Sequence, residues 1–296
     1  MKIQHFLQLI RYKNLLMLAF VQAIFWLSFN DNFSSTYDIV SFILLIQTTV
    51  LLAAAGNIIN DFFDVETDRI NKPNKVLVGK VISGKSTLLV YYILNLFGVV
   101  SGIVLAYIQD KIIYGLLFII ISLILYYYSK SFKKIALLGN FIISFFIALS
   151  IYFVYLFKSL HFNYSEFDNI FRNQILVYSL LAFLLNFIRE IVKDIEDVDG
   201  DYSQNMKTLP ILIGKKRTQT IIFYLTLIPF IAIIMLISIS KHTILIIYSL
   251  VFLIIPLGYF MYKIKDSKSK NEIHKLSALL KIIMLFGILS ILTFHI

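Results

Sequence analysis

Stretches long and apolar enough to cross a lipid bilayer recur along this whole chain, and no other feature narrows its fold so far. A hydrocarbon core of about 30 Å takes roughly 20 apolar residues as a helix. Nine candidates stand at about 14–29, 38–60, 86–108, 112–128, 135–157, 174–193, 218–239, 242–262 and 275–295. The 296 residues are 59% hydrophobic and only 15% charged, against about 25% charged in a soluble domain. The expected fold is therefore all-α, a polytopic membrane protein with nine transmembrane helices. No separate soluble domain is visible, and residues 1–296 read as a single integral-membrane domain. Arg11 and Lys13 precede the first run as they would in a signal peptide. Asn30-Asp31-Asn32-Phe33 follows it instead of a small-residue cleavage site, so a retained first helix is expected.

The formal charge of +10 is explained by topology and needs no nucleic-acid partner. Twenty of the 27 Lys and Arg residues fall in the N-terminus and in segments 61–85, 129–134, 194–217 and 263–275, which nine alternating spans put on one side. Four fall on the other side: Lys111, Lys158, Arg172 and Lys241. Basic loops mark the cytoplasmic face, so the N-terminus and segments 61–85 and 194–217 are expected there, in an inner or plasma membrane. With no cysteine, disulfides, thiolate zinc sites and cysteine nucleophiles are excluded.

The acids are concentrated. Ten of 17 lie in two windows, GNIINDFFDVETDRINKP at 56–73 and REIVKDIEDVDGD at 189–201. Acids this close to a bilayer core are costly and usually functional. Asn60, Asp64 and Asp68 step by four and share one helix face, with Asn57 one turn deeper. Glu190, Asp194, Asp197 and Asp201 step by four, three and four, with Asn186 a turn above. Asp61, Glu66, Glu196 and Asp199 fall off these stripes and read as solvated or lysine-paired. Two opposed stripes would repel unless a cation stood with them. Mg²⁺ takes one or two carboxylates, waters and phosphate oxygens, so the stripes suit a metal-bridged diphosphate, with Arg69, Lys72, Arg189 and Lys193 as phosphate contacts. The competing reading is a pair of solvated, salt-bridged loops.

These residues resemble a known family. Asn60-Asp-Phe-Phe-Asp64-Val-Glu-Thr-Asp68 fits the Asn-x-x-x-Asp-x-x-x-Asp signature of the UbiA-type intramembrane prenyltransferases, and the 189–201 run is similar to that family's second aspartate-rich motif. Arg11-Tyr-Lys-Asn14 looks like its Arg-x-x-Asn. Tyr128-Ser-Lys-Ser-Phe-Lys-Lys134, followed by Leu138-Gly-Asn140, is similar to its loop after the fourth span. The resemblance covers about residues 8–217. It implies nine helices around a central lipid-accessible cavity, in which a prenyl diphosphate and a lipophilic acceptor meet. It further implies Mg²⁺ held by Asn60, Asp64, Asp68, Asp194, Asp197 and Asp201, with Glu190 as a further ligand at a position where the family pattern has Asp. Arg11, Arg69, Arg189 and Lys133 or Lys134 become diphosphate contacts. Asn14 orients a substrate or bonds between helices.

For the acceptor, Lys193-Asp-Ile-Glu-Asp-Val-Asp-Gly-Asp201 and Thr208-Leu-Pro are most similar to geranylgeranylglycerol-phosphate geranylgeranyltransferases. An aromatic, quinone-precursor acceptor is the alternative. Lys75-Val76 departs from the family's common Arg-Pro, which weakens any acceptor role for that segment. A cation-coupled transporter would place its acids near the bilayer midplane, whereas these stand at helix ends. The Asp-Gly-x-x-Ala-Arg run of CDP-alcohol phosphotransferases is absent.

Overall fold

The structure, a computed structural model, describes residues 3–28, 36–158 and 166–294. The residues just after the first helix, where no cleavage site is read, lie outside that range. The elements in order are α1 (Ile3–Leu9), α2 (Tyr12–Ser28), α3 (Thr36–Phe63), α4 (Val65–Asn71), α5 (Gly84–Ile108), α6 (Gly115–Lys130), α7 (Leu138–Lys158), α8 (Glu166–Glu196), α9 (Val198–Ser203), α10 (Leu209–Ile213), α11 (Lys215–Ile239), α12 (Thr243–Ser249), α13 (Ile255–Ile264) and α14 (Lys270–Leu289). A π-helical turn, Leu250–Ile254, joins α12 to α13.

Among the described residues, eight helices are long and apolar enough to cross a membrane, and α1 with α2 makes a ninth if the bent pair is one span. The bend is 62°, and α2 alone has 17 residues. Its cause is local. Arg11 sits in the left-handed region at φ 55°, an uncommon conformation for a residue with a Cβ. The Asn57 side-chain amide donates to the freed Ile10 carbonyl at 2.9 Å. Helices dominate because lipid offers the backbone no hydrogen-bond partners.

The chain forms two compact units, residues Met1–Lys133 with Ser150–Arg172, and Lys134–Leu149 with Asn173–Ile296. In the first, α3 packs on α2, α5 and α6. Two glycines of α5, Gly98 and Gly102, make this approach possible. A Cβ on Gly98 would meet the Leu52 side chain at 3.0 Å, and one on Gly102 would overlap the Phe118 ring. Small residues four apart are a common way for membrane helices to close up. The outer face of α5 carries exposed Leu89, Tyr92, Leu96 and Phe97, the inverse of a soluble helix. Gln22 is one interior polar group that is paired: it donates to the Ser150 carbonyl at 2.9 Å and accepts from Thr49 at 2.7 Å. The buried ammonium of Lys158 donates to the Trp26 carbonyl at 2.8 Å, in the last turn of α2, where positive charge suits the helix dipole.

In the second unit, Ile188, Ile191, Val192 and Ile195 of α8 form a core with Ile222, Leu257, Phe260, Leu280 and Ile283. They recur every three or four residues, which is what one buried helix face requires. Polar residues of the same helix occupy another face, and that face carries the second acid window.

Candidate functional site

The first acid window lies where α3 ends. Its spacing predicts one uninterrupted helix, but α3 stops at Phe63 and α4 starts at Val65, with Asp64 between them at φ −94°, ψ 3°. The stripe survives because four-residue hydrogen bonding runs through the break: Asp64 N–H to Asn60 O at 2.9 Å, then Asp68 N–H to Asp64 O at 2.8 Å. The break puts Asp64 at the head of a short helix.

Two polar stripes descend this end of α3. Asn60 and Asp64 hold each other, Nδ2 to Oδ2 at 2.7 Å, and the Lys133 ammonium donates to both, at 3.2 Å to Asn60 Oδ1 and 2.5 Å to Asp64 Oδ1. Asn57 and Asp61 belong to a second stripe. Asn57 caps Ile10, and Asp61 accepts from Arg11 Nη2 at 2.6 Å. Both therefore serve the α1–α2 bend. Asp61, expected to be solvated or lysine-paired, is paired with an arginine, and Arg11 is engaged by a carboxylate. Asn14 is exposed one turn further along, its backbone N–H donating to Arg11 O at 2.8 Å. Arg69 pairs with Glu66 at 2.8 Å on the surface, a contact worth little in water. Asp68 is half-buried and its carboxyl is pushed up to about 6, first by burial and then by the neighbouring Asp64 charge, with Lys72 pulling the other way.

The second window repeats the first in backbone detail. Helix α8 ends at Glu196, α9 begins at Val198, and Asp197 stands between them at φ −98°, ψ 7°. Hydrogen bonding again continues, from Asp197 N–H to Lys193 O at 2.9 Å and Asp201 N–H to Asp197 O at 3.2 Å. Asp64 and Asp197 thus occupy the same kind of break, a long span handing over to a helix of seven or six residues. Asp201 is buried. Asp194 accepts from Asn140 Nδ2 at 2.9 Å. Asn140 is held in turn, since Ser144 Oγ donates to its carbonyl at 2.6 Å and Asn186 Nδ2 donates to Ser144 Oγ at 3.1 Å. Glu190 uses both oxygens on cations, Oε1 with Arg189 Nη1 at 3.0 Å and Oε2 with Lys193 Nζ at 2.8 Å. Off the stripe, Glu196 meets His274 at 2.9 Å, and Asp199 is exposed.

Sequence reasoning named Lys133 and Lys134 together, and the structure separates them. Lys133 reaches the first window, whereas Lys134 is exposed and its backbone carbonyl accepts from Lys207 N–H at 2.8 Å. Asn140 was quoted only as part of a resemblance. Its signal was a polar residue in the first turn of an apolar helix, which becomes meaningful once Asp194 is seen beside it.

The donor sets suit a hard divalent cation. They are carboxylates and amide carbonyls, and the raised Asp68 carboxyl reports negative charge crowded into a half-buried place. Among the described residues no three His, Asp or Glu side chains converge on one point. Mg²⁺ does not require such a cluster, because it takes one or two carboxylates and completes its shell with waters and phosphate oxygens.

The model of the UbiA prenyltransferase family matches residues 15–285. A digeranylgeranylglyceryl phosphate synthase of Korarchaeum cryptofilum is 34% identical over 226 residues, 76% of this chain and 73% of that protein. The enzyme of the same name from Methanobrevibacter smithii is 31% identical over 239 residues, 79% of this chain and 81% of that one. Among solved structures, one of digeranylgeranylglyceryl phosphate synthase in membranes aligns with a TM-score of 0.67 and 28% identity, covering 97% of this chain and 96% of that chain. A UbiA homologue from Archaeoglobus fulgidus bound to GPP and Mg²⁺ aligns with a TM-score of 0.61 at 16% identity, covering 97% and 99%, and shows the shared fold. With its all-helical membrane architecture and two kinked aspartate windows, this chain belongs to the UbiA prenyltransferase family and is an integral-membrane prenyltransferase.

Proposed function

We propose that this enzyme transfers a geranylgeranyl group from its diphosphate to the free hydroxyl of geranylgeranylglycerol phosphate, forming a diether lipid precursor. The observation that carries the acceptor is the shared name of relatives 31–34% identical across three quarters of the chain. In this reading Asn60, Asp64 and Asp68 hold Mg²⁺ in one window, and Asp194, Asp197 and Asp201 hold Mg²⁺ in the other. Bound Mg²⁺ supplies charge neutralisation for the departing diphosphate.

The remaining work falls to the chain. Breaking the allylic C–O bond sends its electron pair to the diphosphate, and the acceptor hydroxyl oxygen closes on the prenyl carbon as its proton leaves to solvent. Lys133, already beside Asp64 and Asn60, contributes positive charge to the diphosphate oxygens. Asn140 keeps Asp194 oriented. Both windows face the cytoplasm in this reading, supported by the bias of basic residues. Single cysteines introduced at Asp61 and at Lys241 in this cysteine-free chain should be labelled from opposite sides of intact cells, Asp61→Cys from within. Labelling of Asp61→Cys from outside overturns the orientation.

The deciding experiment offers the purified protein labelled geranylgeranyl diphosphate with geranylgeranylglycerol phosphate, geranylgeranylglycerol or a hydroxybenzoate. Mg²⁺-dependent transfer to the phosphorylated glycerol is expected. Transfer to the aromatic acid alone refutes the reading and favours a quinone-precursor acceptor.

A further inference from the structure

One charged cluster of the second unit is not used by the chemistry above. Arg189 and Lys193 are four residues apart, so they share a face of α8. They lie one residue, about 100° of rotation, behind Glu190 and Asp194. Both belong to a helix that otherwise qualifies as a membrane span, and cations at such depth need a reason.

Glu190 holds the pair. Each of its carboxylate oxygens accepts from one cation, at 3.0 Å from Arg189 and 2.8 Å from Lys193. This fixes a guanidinium and an ammonium side by side with one negative charge between them, leaving a net charge of one positive. The Arg189 fork is only partly engaged. Nη1 serves Glu190, while Nε is buried and meets no hydrogen-bond acceptor among the described residues. A buried N–H left unmade is costly, and the Nε–Nη2 edge is the one that grips a phosphate in bidentate fashion. The side chain keeps 22% of its surface open while Nε itself is covered, so a ligand meets the open atoms of the guanidinium first and takes up Nε as the fork turns toward it.

Resting on the acceptor reading above, we infer that Arg189 and Lys193, aligned by Glu190, form the subsite for the phosphate monoester of the acceptor. The charge favours this ligand over the donor. A diphosphate brings its own Mg²⁺ to the carboxylate stripe, whereas a lone monoester, near −2 at neutral pH, needs fixed cations. Glu190 then acts as a positioning residue for two cations and not as a metal ligand. The subsite also selects among acceptors, because an alcohol lacking the phosphate leaves the cations without their partner.

The test is kinetic and uses the full-length enzyme in detergent or lipid. Arg189→Lys keeps the charge and removes the fork, and Lys193→Gln removes the second cation. Each should raise the KM for geranylgeranylglycerol phosphate tenfold or more. The KM for geranylgeranyl diphosphate and the half-saturating Mg²⁺ concentration should stay within twofold, and use of geranylgeranylglycerol should be unchanged. A rise confined to the donor KM or to Mg²⁺ demand overturns the inference. In the wild-type enzyme, glycerol phosphate should inhibit competitively against the acceptor and not against the donor, and the reverse pattern overturns the inference without any variant. If the wild-type enzyme prenylates only an aromatic acid, the acceptor reading itself fails. If it uses the phosphorylated acceptor while both variants keep its KM, only the subsite fails.

Discussion

Removing the amide of Asn140 tests whether a side chain bonded to Asp194 sets the Mg²⁺ affinity. Asn140 is 8% exposed and donates to Asp194 at 2.9 Å. Its backbone carbonyl is held by Ser144, and Ser144 by Asn186, so the backbone that carries the donor is tied to α8. Asn140→Ala deletes one hydrogen bond to a charged group, worth about 1.5–3 kcal/mol, or roughly 10–150-fold in an equilibrium constant. That energy belongs to the folded protein with and without metal, so the effect on Mg²⁺ follows from orientation instead, and loss of the groups that orient a metal-binding side chain typically costs about 10–100-fold in metal affinity. Prenyl transfer measured across a Mg²⁺ titration should show half-saturation moved up by one to two orders of magnitude. Turnover should recover to within severalfold at saturating Mg²⁺, with the acceptor KM unchanged. Ser144→Ala, which breaks only neutral bonds worth about 1 kcal/mol, should move half-saturation by no more than about fivefold. A half-saturation within twofold of wild type for Asn140→Ala, or a loss that excess Mg²⁺ does not repair, refutes the reasoning.

Lys133→Met leaves Asp64 and Asn60 without the ammonium they share. The pair keeps 10% and 16% of its side-chain surface, so the metal-free protein should lose about 2–3 kcal/mol, below the range for a fully buried pair. Detergent-induced unfolding should show this gap, and millimolar Mg²⁺ should narrow it; an unchanged midpoint contradicts the assignment. The Asp68 carboxyl titrates near 6 in the folded chain, above the ordinary 3.8. Its protonated form is favoured by folding, so its contribution to metal-free stability is present below 3.8 and lost as pH rises through 6. Mg²⁺ needs the ionised form, so apparent Mg²⁺ affinity should fall by up to about tenfold per pH unit below 6, and Asp68→Asn should remove that component of the profile. Gly102→Ala forces a methyl group into the fully buried Phe118 ring and should cost about 1–3 kcal/mol. Its melting temperature should drop while its Mg²⁺ half-saturation stays at the wild-type value.

Much of this protein is legible in its sequence because the relevant signals are local. A bilayer's thickness converts directly into a length of apolar chain, and eight spans stand close to where hydropathy predicts them. The stripe Asn60–Asp64–Asp68 is equally local, since helical hydrogen bonding places residues four apart on one face even through the break at Asp64. The breaks themselves are not local. The acids announce the end of each apolar run, but no proline or glycine stands at Asp64 or Asp197 to mark the break in the helix itself. Asn57 read as part of the acid stripe, but it caps the Ile10 carbonyl 47 residues away. The choice of Lys133 over Lys134 depends on a contact spanning 69 residues, and the role of Asn140 on one spanning 54. Hydropathy and periodicity report which face of a helix a residue occupies. Which group it then meets is set by packing between helices distant in the chain, and for the buried charges of a membrane enzyme that partner decides whether a residue holds metal, grips phosphate or pins a bend.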